Sequence, residues 1–294
     1  MNRLPIEKRV QIVTMLVEGM SMRSVSRVAD VSINTVSKLL ADVGVACADY
    51  QDRAMRNLTL TNIQVDEIWA FIGAKARNVP ADADPALGLG DCYTYTAIDR
   101  DTKLMPAYML GYRSAECADA FMADLASRLA CRVQLTTDGM PGYPAAVQAA
   151  FGTSVDYAVL NKTYSMPAPT KEAKRRYSPN QVVGTTIAAV AGKPDLHTCS
   201  TSHVERANLT MRMGMRRFTR LTNAFSKKLE MHFAAVSLHF MHYNFARVHK
   251  TLKVTPAMQA GLCGHVWTIE EIVRLVAEPE AAKRGPYKAR REAA

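Results

Sequence analysis

The sequence predicts an α/β protein in which a mixed-sheet core follows an all-α N-terminal segment. Residues 5–46 place apolar side chains at helical spacings of three and four, whereas residues from 61 onward alternate strand-like runs with helical segments. The chain has 294 residues, of which 48% are apolar, so it can bury a sizeable core in roughly two domains. This composition is typical of a folded globular chain and excludes disorder as the main state.

Residues 1–46 form the first predicted domain, a helix-turn-helix unit of three short helices. Gly19 ends the first helix, and Ser21 and Ser32 are suited to cap the second and third. Helices joined by so short a turn are typical of DNA-binding units in which the third helix enters the major groove. The predicted DNA contacts are the outward residues at its N-terminal end, Asn34, Thr35, Ser37 and Lys38. A helical packing unit without DNA contact is the alternative.

A polar linker over residues 47–60 leads into the second predicted domain, residues 61–262. Its predicted order is three antiparallel strands, a helix, a strand, a helix and a fifth strand, which is typical of a mixed sheet. Residues 161–200 contain four prolines and are interpreted as an exposed insertion or loop. Two further helices are predicted, over residues 202–218 and 227–247.

The net charge of +10 is unevenly distributed along the chain. Residues 161–228 contain 13 basic and 3 acidic side chains, whereas residues 61–160 contain 7 basic and 12 acidic ones. Residues 263–294 are predicted to form a final helix and a basic tail. A basic region of this kind indicates a polyanionic partner, and the acidic region beside it requires a separate explanation.

Composition also indicates the compartment. The most apolar stretch, residues 231–246, has 16 residues and three histidines, which is too short and too polar for a membrane span. The first residues carry charge without an apolar run, so no signal peptide is expected. The six cysteines are scattered without paired spacing, which argues against zinc motifs and a disulfide scaffold and favours the reducing cytoplasm.

Two aspartates are candidates for a metal site. Asp66 lies in the middle of the first predicted strand among apolar residues, where an unpaired charge is costly. Asp138 follows the fourth predicted strand, and the carboxyl ends of strands favour ligand sites in α/β sheets. If the first and fourth strands are neighbours, the two carboxylates approach each other and require a cation such as Mg²⁺.

A third carboxylate is expected from the basic region. Of the acidic residues between Asp138 and Glu230, Glu205 is the one in the first turn of a predicted helix, and it lies in a cationic stretch. Metal held beside a phosphate backbone fits this arrangement, whereas a capping or surface carboxylate is the alternative for each acid alone. The basic residues predicted to bind DNA here are Arg206, Arg212, Arg216, Arg217, Arg220, Lys227 and Lys228.

Four sequence blocks resemble the DDE transposases of bacterial insertion sequences, in particular the family of the first-numbered insertion element. The blocks are Val65-Asp66-Glu67-Ile68-Trp69, Thr137-Asp138-Gly139 with Tyr143, His203-Val204-Glu205-Arg206-Ala207-Asn208, and the stretch from Tyr243 to Leu252 with Thr255-Pro256-Ala257. The resemblance covers about residues 60–260. It implies an RNase H-like fold of the retroviral-integrase superfamily with Asp66, Asp138 and Glu205 as the catalytic, metal-binding triad.

The resemblance also implies a chemistry and partners. Two Mg²⁺ or Mn²⁺ ions would activate a water and then a 3′-hydroxyl and stabilise the leaving oxygen. The substrates would be the ends of an insertion sequence and a target duplex, bound by a homodimer or a higher oligomer at the bacterial nucleoid. Members of this family often carry an N-terminal zinc element, whereas this chain has no paired cysteines there. The alternatives are a non-catalytic DNA-binding regulator derived from a transposase and a metal-dependent, structure-specific nuclease.

Overall fold

A computed structural model describes residues 4–165, 182–219 and 222–277. Its six-stranded mixed sheet has the order β3-β2-β1-β4-β5-β6. The strands are β1 (Asn62–Ile72), β2 (Gly90–Asp99), β3 (Ala107–Gly111), β4 (Val133–Thr137), β5 (Val155–Tyr164) and β6 (Val182–Ala191). The helices are α1 (Ile6–Val17), α2 (Met22–Ala29), α3 (Ile33–Ala54), α4 (Ala115–Arg128), α5 (Tyr143–Phe151), α6 (Ser202–Gly214), α7 (Leu229–Met241), α8 (Pro256–Gln259) and α9 (Ile269–Arg274).

The strand pairing confirms the predicted mixed α/β sheet and is consistent with an RNase H-like core. β1, β2 and β3 form an antiparallel meander, and β4 lies parallel to both β1 and β5. β6 then closes one edge of the sheet antiparallel to β5. The first and fourth strands are therefore neighbours, as the placement of the two aspartates requires.

The interpretation of residues 161–200 as a loop is wrong for much of the part that the structure describes. β5 continues to Tyr164, and residues 182–191 form β6. Eight of the ten β6 residues are exposed, including Val183 at 64%. A strand that buries neither face has no apolar alternation, so the period-two signal on which the prediction relied is missing.

The predicted linker over residues 47–60 is largely helical. α3 continues as far as Ala54 because its core-facing positions persist beyond residue 46. Cys47 and Gln51 are buried, and the Gln51 amide donates to the Ser237 carbonyl of α7 at 3.1 Å. The second half of α3 therefore packs on the helices that cover the sheet.

Two hydrophobic clusters hold these elements together. The larger one joins the N-terminal helices to the sheet and to α4, α5 and α9, and it includes Val13, Val43, Leu135 and Val273. The smaller one lies on the other side of the sheet, between β1, α6 and α7. Among the described residues no single helix has the length and apolarity to cross a membrane. The helices α2 and α3 reach that length and apolarity only when they are taken together, and the chain bends by 113° between them.

Candidate active site

The register of two parallel strands brings Asp66 and Asp138 together. Val65 of β1 pairs with Thr137 of β4, and in the sequence each of these two residues is followed by an aspartate. β4 ends at Thr137, whereas β1 continues to Ile72, which places Asp138 beside the middle of β1 at the end of its neighbour. The Met140 backbone N–H donates to Asp138 Oδ1 at 3.0 Å and holds this carboxylate in the turn.

Glu67 is a third carboxylate in the same place. A suitable oxygen from each of Asp66, Glu67 and Asp138 lies within 4.8 Å of the others. Neighbouring side chains of a strand point to opposite faces, but Asp138 lies beyond the end of β4, where both faces of β1 are within reach. Sequence reasoning included Glu67 only in a family-like block and gave it no role. Its signal in the sequence was a second acid directly after Asp66, in a strand rich in apolar residues.

Glu67 is held by two partners from the α4–α5 side of the sheet. Its side chain is only 3% exposed, and it accepts a hydrogen bond from the hydroxyl of buried Tyr143 on α5. Arg113, which follows β3, places its guanidinium 3.6 Å from Glu67 and 3.4 Å from Asp138. Arg113 therefore balances part of the negative charge where the carboxylates meet.

The pKa values of the carboxyl groups reflect their crowding. Burial, followed by repulsion from Asp138, raises the pKa of Asp66 to about 6. The same two causes raise the pKa of Glu67 to about 7, against the opposing hydrogen bond from Tyr143. A divalent cation with oxygen ligands would relieve both the repulsion and the buried charge, so the donor set fits Mg²⁺ or Mn²⁺.

α6 crosses this end of the sheet and is fixed by hydrogen bonds to β1. Gln64 accepts from the backbone N–H groups of His203 and Val204 at 2.9 and 3.2 Å, which satisfies two amides of the first helical turn. One turn later, the Asn208 amide donates to Asp66 Oδ2 at 2.9 Å. Asn208 in turn accepts from the Thr96 hydroxyl at 3.2 Å, which orients its amide.

Glu205 lines the same cleft but lies outside the group of three carboxylates. It is in the first turn of α6, as predicted, and its charge contributes to the raised pKa of Asp66. Its carboxylate is paired with Lys162 of β5 and accepts a hydrogen bond from Thr201 at 2.5 Å. Asp66, Glu67, Asp138 and Glu205 line a cleft of about 580 Å³ together with Arg113, Asn161, Lys162, Asn208 and Arg212.

The predicted DNA-binding residues of the basic region have different positions. Arg206, Arg216, Lys227 and Lys228 are exposed, and Arg212 lines the cleft. Arg217 instead points inward, where it donates to Ser226 at 2.8 Å and contacts the Met22 sulfur of α2 at 3.3 Å. Burial lowers the pKa of Arg217 to about 10. The two contacts inside the protein favour a structural role for Arg217 over the predicted DNA contact. Arg220 lies outside the described residues.

The N-terminal residues predicted to contact DNA lie at the start of α3. The Ser32 hydroxyl accepts from the Thr35 backbone N–H at 3.2 Å and caps this helix, and Ser21 caps α2 in the same way. Asn34 and Lys38 are exposed, and Thr35 and Ser37 are partly exposed. The helical geometry therefore leaves these four side chains at the surface.

Comparison with solved structures finds transposase–DNA complexes at low similarity. The alignment with the piggyBac transposase synaptic complex with hairpin DNA covers 96% of this chain and 75% of the piggyBac chain, at 12% identity and a TM-score of 0.44. The Mos1 strand transfer complex aligns with 82% and 76%, at 15% identity and a TM-score of 0.25. The Mos1 mariner paired-end complex with Mn aligns over the same shares, at 13% identity and a TM-score of 0.28. No family model and no curated protein matches the sequence.

Proposed function

We propose that this chain is a DDE-type DNA transposase that cleaves the ends of its element and joins them to target DNA. The observation that carries the proposal is the group formed by Asp66, Glu67 and Asp138, whose oxygens lie within 4.8 Å of one another in an open cleft. Glu205 and a set of basic side chains border the same cleft. Acidic ligands beside cations suit a metal-dependent reaction on a phosphodiester.

In this proposal Asp66, Asp138 and Glu205 hold Mg²⁺ or Mn²⁺, and Glu67 adds a fourth carboxylate. Two ions are proposed, since Glu205 lies apart from the other three acids while it lines the same cleft. When bound, such ions supply Lewis-acid activation of a nucleophile and stabilise a leaving oxygen. Asn208 orients Asp66, and Arg212 and Lys162 lie at the cleft where they can bind the phosphate backbone.

The proposal also covers the DNA contacts, the oligomeric state and the roles of the two parts of the chain. The start of α3 would read DNA in the major groove, with Asn34, Thr35, Ser37 and Lys38 as contacts. The exposed basic residues near α6, Arg206, Arg216, Lys227 and Lys228, would hold DNA along the surface. A homodimer or higher oligomer would pair two element ends at the nucleoid of a bacterial cell. The unit around the sheet would be the catalytic domain and the first three helices the recognition domain.

A strand-transfer assay tests the proposal. Labelled duplexes from the DNA on either side of the gene are incubated with the full chain, Mg²⁺ and a supercoiled plasmid. We expect nicked ends and joined products, and we expect Asp66→Asn and Glu205→Gln to reduce both by a factor of 10³ or more, on the order of what loss of a main catalytic group costs. Asp156→Asn is the control, because Asp156 is paired with Arg132 at 2.6 Å outside the cleft.

The alternatives predict other outcomes. Cleavage without joining would replace the transposase by a metal-dependent nuclease. Binding of the duplexes without either reaction would point to a DNA-binding regulator and overturn both enzyme functions. Isothermal titration with Mn²⁺ provides a readout besides activity, since heat of binding lost in Asp66→Asn but kept in Asp156→Asn would support the metal site itself.

A further inference from the structure

A second group of cationic and imidazole side chains surrounds the first turn of α6 outside the cleft. This basic patch consists of Lys103, His203, Arg247 and His249, which come from the β2–β3 turn, from α6 and from the segment after α7. Part of it belongs to the block from Tyr243 to Leu252, which has no role in the proposed chemistry so far.

Direct contacts bring the parts of the patch together. Lys103 Nζ lies 3.4 Å from His203 Nδ1, and the Tyr243 hydroxyl donates to the Lys103 carbonyl at 3.1 Å. Burial and then Lys103 lower the pKa of both His203 and His249, and Arg247 acts on His249 in the same direction. Lys103 thus faces both imidazoles.

The segment after α7 is a tight, basic turn. The His249 N–H donates to the Val254 carbonyl and the Lys253 N–H donates to the His249 carbonyl, each at 2.9 Å. Arg247, Lys250 and Lys253 are exposed, and none of them forms a salt bridge with any residue that the structure describes. The sequence holds no acidic residue between Glu230 and Glu270, so the charge of this turn has no local balance.

The nearby acids are already engaged. Asp99 accepts hydrogen bonds from the N–H groups of Asn62, Asp101 and Thr102 and from the Thr102 hydroxyl, which consumes both carboxylate oxygens. Asp101 accepts from the Thr61 hydroxyl at 2.9 Å. Both carboxylates keep their negative charge, and they offset part of the charge of Lys103. Among the described residues, the exposed Arg247, Lys250 and Lys253 have no such acid beside them, so the patch keeps a surplus of positive charge that favours an anion.

The patch and the cleft lie on different sides of α6. His203 and Glu205 are two residues apart, which places their side chains about 200° apart around a helix with 3.6 residues per turn. The first-turn amides of α6 are occupied by Gln64, so they are not the anion donors here. An anion at the patch would instead meet guanidinium, ammonium and imidazole N–H groups. The His249 Nδ1 bond to Thr251, at 3.0 Å, leaves the Nε2 of His249 for such a ligand.

We propose that the basic patch binds the phosphodiester backbone of a DNA duplex segment that lies outside the catalytic cleft. The inference rests on the proposed function for its choice of DNA as the polyanion. Guanidinium and ammonium groups contact phosphate oxygens without reading sequence, and imidazole N–H groups can donate to the same oxygens. The patch would thereby fix the direction in which DNA leaves the cleft.

The test measures DNA affinity against salt concentration in EDTA, so that neither metal nor chemistry contributes. The full chain is titrated onto a labelled 40-base-pair duplex at several NaCl concentrations. We expect the double variant Lys103→Gln/Arg247→Gln to flatten the slope of log K against log salt by about 1.8, because each phosphate contact contributes about 0.9, and to weaken binding on the order of tenfold. Arg247→Lys, which keeps the charge, should retain the wild-type slope.

Lys193→Gln is the matched control, because Lys193 is an exposed lysine after β6, near the end of the sheet opposite the cleft. A double-variant slope equal to that of Lys193→Gln, with an unchanged melting temperature, would overturn the proposal. The proposal would also be overturned if the double variant lost affinity for an RNA duplex but kept the wild-type affinity for the DNA duplex, since the ligand would then be RNA. If the wild type fails in the strand-transfer assay while the double variant still shows the expected flatter salt slope, the proposed enzyme activity is contradicted and this DNA contact remains supported.

Discussion

Asp66 and Glu67 are buried acids whose ordinary charge is unfavourable in their surroundings. Burial and the neighbouring Asp138 raise the pKa of Asp66 to about 6 and that of Glu67 to about 7. At pH 8 and without metal, the folded protein therefore holds repelling carboxylates, with Arg113 as the nearest counter-cation. Buried carboxylates of this kind lower the stability of the folded protein, and they are typical of a site whose function requires their negative charge.

We expect Asp66→Asn to stabilise the metal-free protein at pH 8. A carboxyl group whose pKa is higher in the folded state than in the unfolded state costs stability above the folded value. This cost fades as the pH falls through about 6 toward 3.8, where both states bind the proton. The expected gain is on the order of 2–3 kcal/mol at pH 8 and little at pH 4, as urea unfolding at the two pH values would show.

Asp156→Asn serves as a control, because its expected effect on stability at pH 8 has the opposite sign to that of Asp66→Asn. The hydrogen bonds from Arg132 and from the Lys193 backbone lower the pKa of Asp156 to about 2. Its contribution is therefore present at neutral pH and is lost as the pH falls below about 4. Asp156→Asn should destabilise the protein at pH 8, and equal effects of the two variants would contradict the assigned pKa shifts.

We expect Arg113→Gln to increase the stabilisation that Mg²⁺ confers. Arg113 contacts Glu67 and Asp138, so its removal destabilises the metal-free protein at pH 8 and also removes a competitor of the metal. The rise in melting temperature on adding 10 mM Mg²⁺ should thus be larger than in the wild type. Arg132→Gln, which breaks an ion pair outside the cleft, should leave that rise unchanged. A smaller rise in Arg113→Gln would show that Arg113 supports the site instead.

Among the elements, α3 and α7 approach each other closely at Gly44. A Cβ atom at this position would lie 2.4 Å from the Ala234 Cα of α7, which is backbone and cannot move alone. Gly44→Ala is expected to destabilise the protein by about 1–3 kcal/mol through overpacking. Gly214→Ala at the end of α6 is the matched control, because its Cβ would meet nothing within 4 Å. That variant should be neutral or gain up to about 1 kcal/mol, and equal losses in both would contradict the packing argument.

Local patterns predicted most of the elements that build the site. The caps Ser21 and Ser32, the strands β1 and β4, and the position of Glu205 on a helix follow from residue spacing, whereas the pairing of β1 with β4 was only a condition of the metal site and is shown by the structure. The role of Glu67 did not follow, because strand alternation turns it away from Asp66 and only the short length of β4 brings both acids to Asp138. Arg113 and Tyr143 reach Glu67 through tertiary contacts, which no spacing in the sequence encodes.

At the scale of the whole molecule, the N-terminal helices share their core with the sheet. Val13, Val36 and Val43 belong to the same cluster as Leu135 and Val273. Sequence reasoning separated these parts at residue 46 because the residues that follow are polar. The continuation of α3 to Ala54 and its packing on α7 depend on a few buried side chains such as Cys47, which a composition change does not reveal.

We therefore expect the described part of the chain to unfold in one cooperative transition. Ile12 of α1 is completely buried in the shared cluster, and Ile12→Ala should cost about 2–5 kcal/mol. In a Trp267→Phe background Trp69 of β1 is the one remaining tryptophan, so its fluorescence reports on the sheet. Ile12→Ala should shift the urea midpoint of that fluorescence and of far-ultraviolet circular dichroism equally. An unmoved Trp69 transition beside a shifted helical one would instead show that the N-terminal helices unfold as an independent unit.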